Sequence, residues 1–81
     1  MLIQVRLFAI LRERAGLAEL CLDLPGGSTV ADAAEALGER SPALRAFSAR
    51  TAYAVNRSYV KATTVLNDGD ELALIPPVSG G

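Results

Sequence analysis

Few side chains in this sequence have the chemistry of a catalytic or metal-binding site. The chain contains no histidine, so neither a Ser-His-Asp arrangement nor a histidine metal site can form. Its single cysteine, Cys21, lies within a predicted strand and has no second thiol with which to form a redox pair. We interpret Cys21 as a structural thiol, because a reactive cysteine needs an accessible, electropositive setting that the sequence does not show.

Two short polar motifs have simpler explanations than a site. Residues 67–70, Asn-Asp-Gly-Asp, offer oxygen ligands but lack the spacing of a calcium loop, so we predict a turn. Residues 56–58, Asn-Arg-Ser, match a glycosylation acceptor, which a cytoplasmic chain would not use. Four basic residues could serve as docking charges for a partner, although a solvated surface position is the simpler interpretation of each: Arg12, Arg14, Arg57 and Lys61. The sequence thus predicts no metal site and no stably bound cofactor.

The remaining candidate for chemistry is the C-terminal segment Ile-Pro-Pro-Val-Ser-Gly-Gly, residues 75–81. Gly80 and Gly81 carry no side chain, so they fit a slot as narrow as a backbone and let a terminal carboxylate reach a partner's active site. Pro76 and Pro77 favour an extended chain that projects from the fold. The alternative is a frayed end or a cloning remnant. Two further small residues complete this predicted tail: Val78 and Ser79.

Length and composition limit the class of protein. Eighty-one residues predict one domain, and a chain that is 51% hydrophobic but 5% aromatic must build its core from aliphatic side chains. The net charge of −1 gives no sign of nucleic-acid binding. No apolar stretch is long enough to span a membrane, and no secretory signal is evident. With one cysteine, the expected compartment is the cytoplasm.

The pattern of apolar residues predicts an α+β domain. Residues 1–8 and 19–24 alternate as two strands with one buried face, and residues between them allow a helical turn that Gly16 ends. Thr29 is a good N-cap for a helix with an apolar stripe at Val30, Ala33, Ala34 and Leu37. A short helix at residues 42–47 and strands at 52–56, 59–60 and 71–75 complete the domain.

Alternation also divides the side chains between two faces of the sheet. Phe8 and Ile75 point away from the core side, and two large apolar residues on a face that should be polar suggest a surface for a partner. Isolated exposed apolar residues are also common on any protein, so both interpretations stay open here. The predicted core consists of Ile3, Val5, Leu7, Leu20, Leu22, Val30, Leu37, Val55, Leu72 and Leu74.

Three segments carry a resemblance to a known family: "LFAILRERAG" (residues 7–16), "AVN" (54–56) and "LNDGDELALIPPVSGG" (66–81). Together with the order of elements, they resemble the small, sulfur-carrier subunits of molybdopterin synthases, the MoaD family of ubiquitin-like β-grasp proteins. A terminal Gly-Gly alone is a weak signal, whereas the whole C-terminal block is a strong one. The resemblance implies a β-grasp domain at residues 1–75, with one main helix packed on a mixed sheet, and a flexible tail at residues 76–81.

The resemblance also implies a mechanism. An adenylyltransferase related to ubiquitin activators would use ATP to adenylate the carboxylate of Gly81, and sulfur would then replace the adenylate to give a thiocarboxylate. The large subunit would accept the tail and supply the catalytic residues, and sulfur would pass to cyclic pyranopterin monophosphate to build the molybdopterin dithiolene. Two small and two large subunits would form a heterotetramer. The family's docking surface would correspond to Phe8, Arg12, Tyr59 and Ile75.

Two other functions stay open from the residues alone. The chain could carry sulfur for another product, such as the thiamin thiazole or a thiolated tRNA. Thiazole carriers are typically shorter and lack the Pro-Pro-Val segment, which favours the molybdopterin pathway. The chain could instead be a ubiquitin-like modifier, joined through Gly81 to lysines of target proteins.

Overall fold

The fold is a five-stranded mixed sheet with helices on one face. A computed structural model describes residues 1–76, except for the side chains of residues 46–49. In chain order the elements are β1 (Leu2–Leu7), α1 (Ala9–Ala15), β2 (Glu19–Asp23), α2 (Val30–Arg40), a 3₁₀ helix (Pro42–Arg50), β3 (Ala52–Val55), β4 (Ser58–Val60) and β5 (Glu71–Ile75). The predicted α+β class and the β-grasp arrangement are confirmed.

The sheet has the strand order β2-β1-β5-β3-β4, with the first and last strands of the chain side by side at its centre. Strand β1 pairs antiparallel with β2 and parallel with β5, in a register that sets Arg6 beside Ala73 and Leu7 beside Leu74. Strand β3 joins the other side of β5 in antiparallel fashion, and β4 forms the edge. Since β1 and β5 are the first and last elements, all the others lie between them in the chain and form the long crossover that a parallel pair requires.

Helix α2 begins with a complete capping box. The side chain of Thr29 accepts a hydrogen bond from the Asp32 backbone N–H at 3.2 Å, and the Asp32 carboxylate accepts one from the Thr29 N–H at 2.9 Å. The helix ends at Arg40, two residues past Gly38, and the Arg45 side chain packs over that glycine, with its Nε donating to the Gly38 carbonyl at 3.1 Å. The following helix is longer than predicted and is of the 3₁₀ type.

The core lies between the inner face of the sheet and α2. Eight of the ten predicted core residues are buried there, while Leu20 and Val55 are half-buried and pack against the core from strands at or next to the sheet edge. The prediction omitted Leu11 and Leu66, which are both 1% exposed. Leu66 is held by its N–H, which donates to the Ser28 carbonyl at 2.9 Å, next to an isolated bridge between Thr29 and Val65. No helix in the described part of the chain is long and apolar enough to cross a membrane.

Candidate functional site

The outer face of the sheet carries a row of side chains that runs across all five strands. Cross-strand pairing aligns Glu19, Arg6, Ala73, Ala54 and Tyr59 in that order, from β2 to β4. Side chains two residues apart along an extended strand share a face. Phe8 and Ile75 therefore extend this surface beyond Arg6 and Ala73. The outer face is therefore a continuous surface with two alanines at its centre.

This surface forms a shallow groove of about 290 Å³, which we call the outer groove. Ala54 and Ala73 are buried and lie at its centre, where their small side chains leave room between larger neighbours. Phe8 is 43% exposed and Tyr59 is 74% exposed, so two aromatic side chains offer apolar area to a partner. The lining consists of Arg6, Phe8, Ala54, Arg57, Tyr59, Glu71, Ala73 and Ile75.

Three of the four residues predicted to bind a partner meet in the outer groove. Phe8 follows β1, Tyr59 belongs to β4 and Ile75 ends β5, and the sheet brings the three together. Arg12 is exposed on α1 and does not line the groove. Its role in docking stays a prediction. The apolar pair Phe8 and Ile75 is thus part of one shared surface rather than two isolated positions.

Arg6 lies in the outer groove with its guanidinium held by two carboxylates. Its Nη2 lies 2.9 Å and its Nε 3.0 Å from Glu19 Oε1, and its Nη1 lies 3.9 Å from Glu71 Oε2. These side chains are partly exposed, so the pairs add little to folding stability. Their main effect is to orient Arg6 across the strands and to neutralise its charge.

The Asn56–Arg57 turn between β3 and β4 is anchored to the start of β5. The Asn56 side chain donates to Asp70 Oδ1 at 2.9 Å, and its Oδ1 accepts from the Glu71 N–H at 3.0 Å. Asp70 in turn accepts from the Asn67 N–H at 2.8 Å. The predicted turn at residues 67–70 is confirmed. The carboxylate of Asp70 links residues 54–56 with residues 66–81, two segments that carry the family resemblance. Of the four basic residues considered as docking charges, for which solvated surface was the simpler interpretation, Arg57 lines the outer groove.

Cys21 lies on the outer face of β2, and its thiol is free and exposed. Its backbone carbonyl accepts a hydrogen bond from Arg40 Nη1 at 2.9 Å. Among the residues that the structure describes, no group of three or more His, Cys, Asp or Glu side chains is arranged to hold a metal ion. The interpretation of Cys21 as a structural thiol stays a prediction.

A larger cavity of about 530 Å³ lies on the helical side of the sheet. It is lined by residues of α2, the 3₁₀ helix and β3, including Glu35, Arg45 and Tyr53. Burial of Tyr53 raises the pKa of its hydroxyl above the ordinary value of 10.0. None of the predicted site residues lines this cavity, so the outer groove is the stronger candidate site.

The predicted tail begins where the outer groove ends. Strand β5 places Ile75 in the groove lining, and Pro76, which follows it, is buried. The rest of the tail, Pro77, Val78, Ser79, Gly80 and Gly81, lies outside the described residues. Its chemistry therefore stays a prediction.

Comparison with known proteins identifies the family. The sequence profile of the ThiS family matches residues 5–81. The chain is 38% identical over 79 residues to a molybdopterin synthase sulfur carrier subunit of Arabidopsis thaliana, covering 98% of this chain and 82% of that protein. It is 39% identical over 83 residues to the protein of the same name from Chlamydomonas reinhardtii, covering all of both chains.

Solved structures share the fold over the whole chain. SAMP1 of Haloferax volcanii, a small archaeal modifier protein, superposes with a TM-score of 0.89 at 37% identity, covering all of both chains. A chain in a complex of subunits 1 and 2 of molybdopterin-converting factor from Helicobacter pylori has a TM-score of 0.72 at 24% identity, also with full coverage of both chains, and this similarity shows the fold alone. The chain belongs to the ThiS family and is similar along its full length to molybdopterin synthase sulfur carrier subunits.

Proposed function

We propose that this chain is the sulfur-carrier subunit of a molybdopterin synthase. The observation that supports this most directly is that β5 lines the outer groove and is followed in the sequence by the segment that ends in Gly-Gly. A protein that docks on the groove would therefore receive the tail next to its contact surface. The relatives named above are subunits of a synthase, which is consistent with a partner on this face.

The proposed chemistry takes place on the carboxylate of Gly81. A carboxylate is a poor electrophile, so its oxygen first attacks the α-phosphorus of ATP on an adenylyltransferase related to ubiquitin activators, and pyrophosphate leaves. A sulfide nucleophile then attacks the acyl carbon and AMP leaves, which yields the thiocarboxylate. On the large subunit the sulfur of the thiocarboxylate attacks a carbon of cyclic pyranopterin monophosphate and an oxygen substituent of that carbon leaves. Water then hydrolyses the resulting thioester, which leaves the sulfur on the pterin and restores the carboxylate of Gly81. The catalytic residues belong to the large subunit, so this chain is a donor and not itself the catalyst.

The length of the tail is central to this proposal. Deleting Gly81 or adding one residue after it would move the carboxylate by about 3.5 Å of extended chain. That shift equals the whole separation of about 3–3.5 Å at which two reacting atoms are positioned for attack. Either change should abolish activation. The described core lies within residues 1–76, so folding should be unaffected.

Intact-mass spectrometry after incubation with the adenylyltransferase, ATP and sodium sulfide tests the proposal. We expect the wild type to gain the mass of one sulfur-for-oxygen exchange, and the Gly81 deletion and the extended variant to gain none. Cys21→Ser should gain sulfur as the wild type does, since the thiol takes no part. Equal gain in the Gly81 deletion, or sulfur found on Cys21, would contradict the proposal.

In the assembled synthase we expect two small and two large subunits, which native mass spectrometry measures.

A second function is favoured by one comparison. The similarity to SAMP1 covers all of both chains, so a role as a protein modifier joined through Gly81 to lysines is the alternative. Here the adenylated glycine would be attacked by an amine instead of sulfide. Conjugates of higher mass in an extract of cells that produce the wild type, absent with the Gly81 deletion, would support the modifier. A carrier for thiamin thiazole or thiolated tRNA would instead lack affinity for the large subunit of molybdopterin synthase.

A further inference from the structure

Arg57 has a backbone conformation that an arginine rarely adopts. The two residues of the β3–β4 turn, Asn56 and Arg57, have φ values of 49° and 72°. Two-residue hairpin turns with both φ values positive favour Asn followed by Gly, because glycine has no Cβ to clash in the left-handed region. Asn56 fits this preference, whereas Arg57 stands where glycine would be less strained. Strained residues in folded proteins cluster at functional sites.

Arg57 lines the outer groove, and its charge has no ionic partner within the part of the chain that the structure describes. Arg6, the other arginine of the groove, forms ion pairs with Glu19 and Glu71. Arg57 forms no ion pair with any residue in the described part of the chain. Since Glu71 is the acidic residue of the lining and already faces Arg6, the positive charge of Arg57 is left without a counter-charge in the groove.

We propose that Arg57 is a specificity-determining residue of the outer groove and that it binds a carboxylate of the protein partner that docks there. This inference rests on the proposed function, because it assumes that the large subunit occupies the groove. A guanidinium recognises a carboxylate through two parallel hydrogen bonds. When the partner covers Phe8 and Tyr59, water leaves the groove and the lower dielectric strengthens this ion pair.

The groove favours a carboxylate of a protein over a phosphate of a nucleic acid. Aromatic side chains and arginine beside an apolar centre are typical of protein interfaces. The chain has 8 basic and 9 acidic residues and a net charge of −1, without the basic excess that nucleic-acid binding requires. The strained turn then has a functional explanation, since it places Arg57 at the groove.

Calorimetric titration with the purified molybdopterin synthase large subunit of the same organism tests this role. We expect Arg57→Gly to raise the Kd about tenfold or more and to weaken the dependence of the Kd on salt, since a charge pair across the interface is lost. The same variant should raise the Tm by roughly 2–8 °C, because glycine relieves the strained turn. A loss of affinity together with a gain in stability cannot come from misfolding.

Two further variants complete the test. Arg57→Lys keeps the charge but not the paired hydrogen bonds, so it should bind with an affinity between those of the wild type and Arg57→Gly. Arg50→Gln removes the same charge from the end of the 3₁₀ helix, away from the groove, and should bind as the wild type does. If the wild type does not bind, the proposed function is wrong. If it binds and Arg57→Gly binds equally well, or if Arg50→Gln weakens binding as much, the role of Arg57 is wrong and the proposed function stands.

Discussion

Replacing Tyr59 with alanine separates docking on the outer groove from folding. Tyr59 lies on the edge strand β4, opposite Ala54, with 74% of its surface exposed. Most of its area is therefore available to a partner and is not used by the fold. Tyrosine is also among the residues that most often dominate the binding energy of protein interfaces. We expect Tyr59→Ala to weaken binding of the large subunit strongly while leaving the domain folded.

The magnitude follows from the exposed area. An aromatic side chain of roughly 200 Å² that is 74% exposed has about 150 Å² left to cover. Covering half of that area at ~25 cal/mol per Å² contributes about 1.9 kcal/mol, or roughly a 20-fold change in Kd. The quarter of the Tyr59 side chain that is already buried in the free chain, about 50 Å², limits the loss of folding free energy to about 1.3 kcal/mol.

Calorimetric titration with the large subunit measures the change in Kd. Urea unfolding of the free chain measures the change in folding free energy. Val65→Ala is the matched control, because Val65 is 54% exposed but does not line the outer groove. We expect the control to bind as the wild type does. A Kd for Tyr59→Ala within about twofold of the wild-type value would refute the assignment of this face as the docking surface.

Two further predictions concern the fold. Leu74 is 5% exposed beside Leu7 and Tyr53, so Leu74→Ala should lower the free energy of unfolding by about 2–5 kcal/mol, measured by urea denaturation, and a change below about 1 kcal/mol would contradict its place in the core. Burial raises the pKa of Tyr53 in the folded state, so above about pH 10 the unfolded chain loses this proton first and stability falls as pH rises. Urea midpoints between about pH 8 and pH 11 should fall less steeply for Tyr53→Phe than for the wild type, and identical slopes would rule out this linkage.

Local patterns predicted most of the elements but not the way in which they pair. Alternation marked β1 and β5, and Thr29 marked the start of α2, because each signal depends on neighbours in the chain. The parallel pairing of β1 with β5 joins the two ends of the domain, and no local pattern encodes it. Leu66 was missed for the same reason. Its burial depends on a hydrogen bond to Ser28, almost forty residues away in the chain.

The outer groove was predictable in part. Alternation assigned Phe8 and Ile75 to the outer face, and the family resemblance added Tyr59. Arg57 could not be assigned to the groove, because its orientation depends on positive backbone angles that an arginine seldom adopts. The bonds from Asn56 to Asp70 and Glu71, which anchor that turn, connect residues about 15 positions apart and likewise leave no mark on a local pattern.

Strand β5 connects folding, docking and the placement of the tail. Leu72 and Leu74 enter the core, while Ala73 and Ile75 alternate with them on the outer groove. A shift of one residue in the pairing of β5 would exchange these two sets of side chains. The core therefore fixes the register of β5, and the register fixes both the groove and the point at which the chain leaves the sheet. If the chain presents its terminal carboxylate to a partner, as proposed, the register of β5 sets where the segment that bears this carboxylate begins relative to the docking surface.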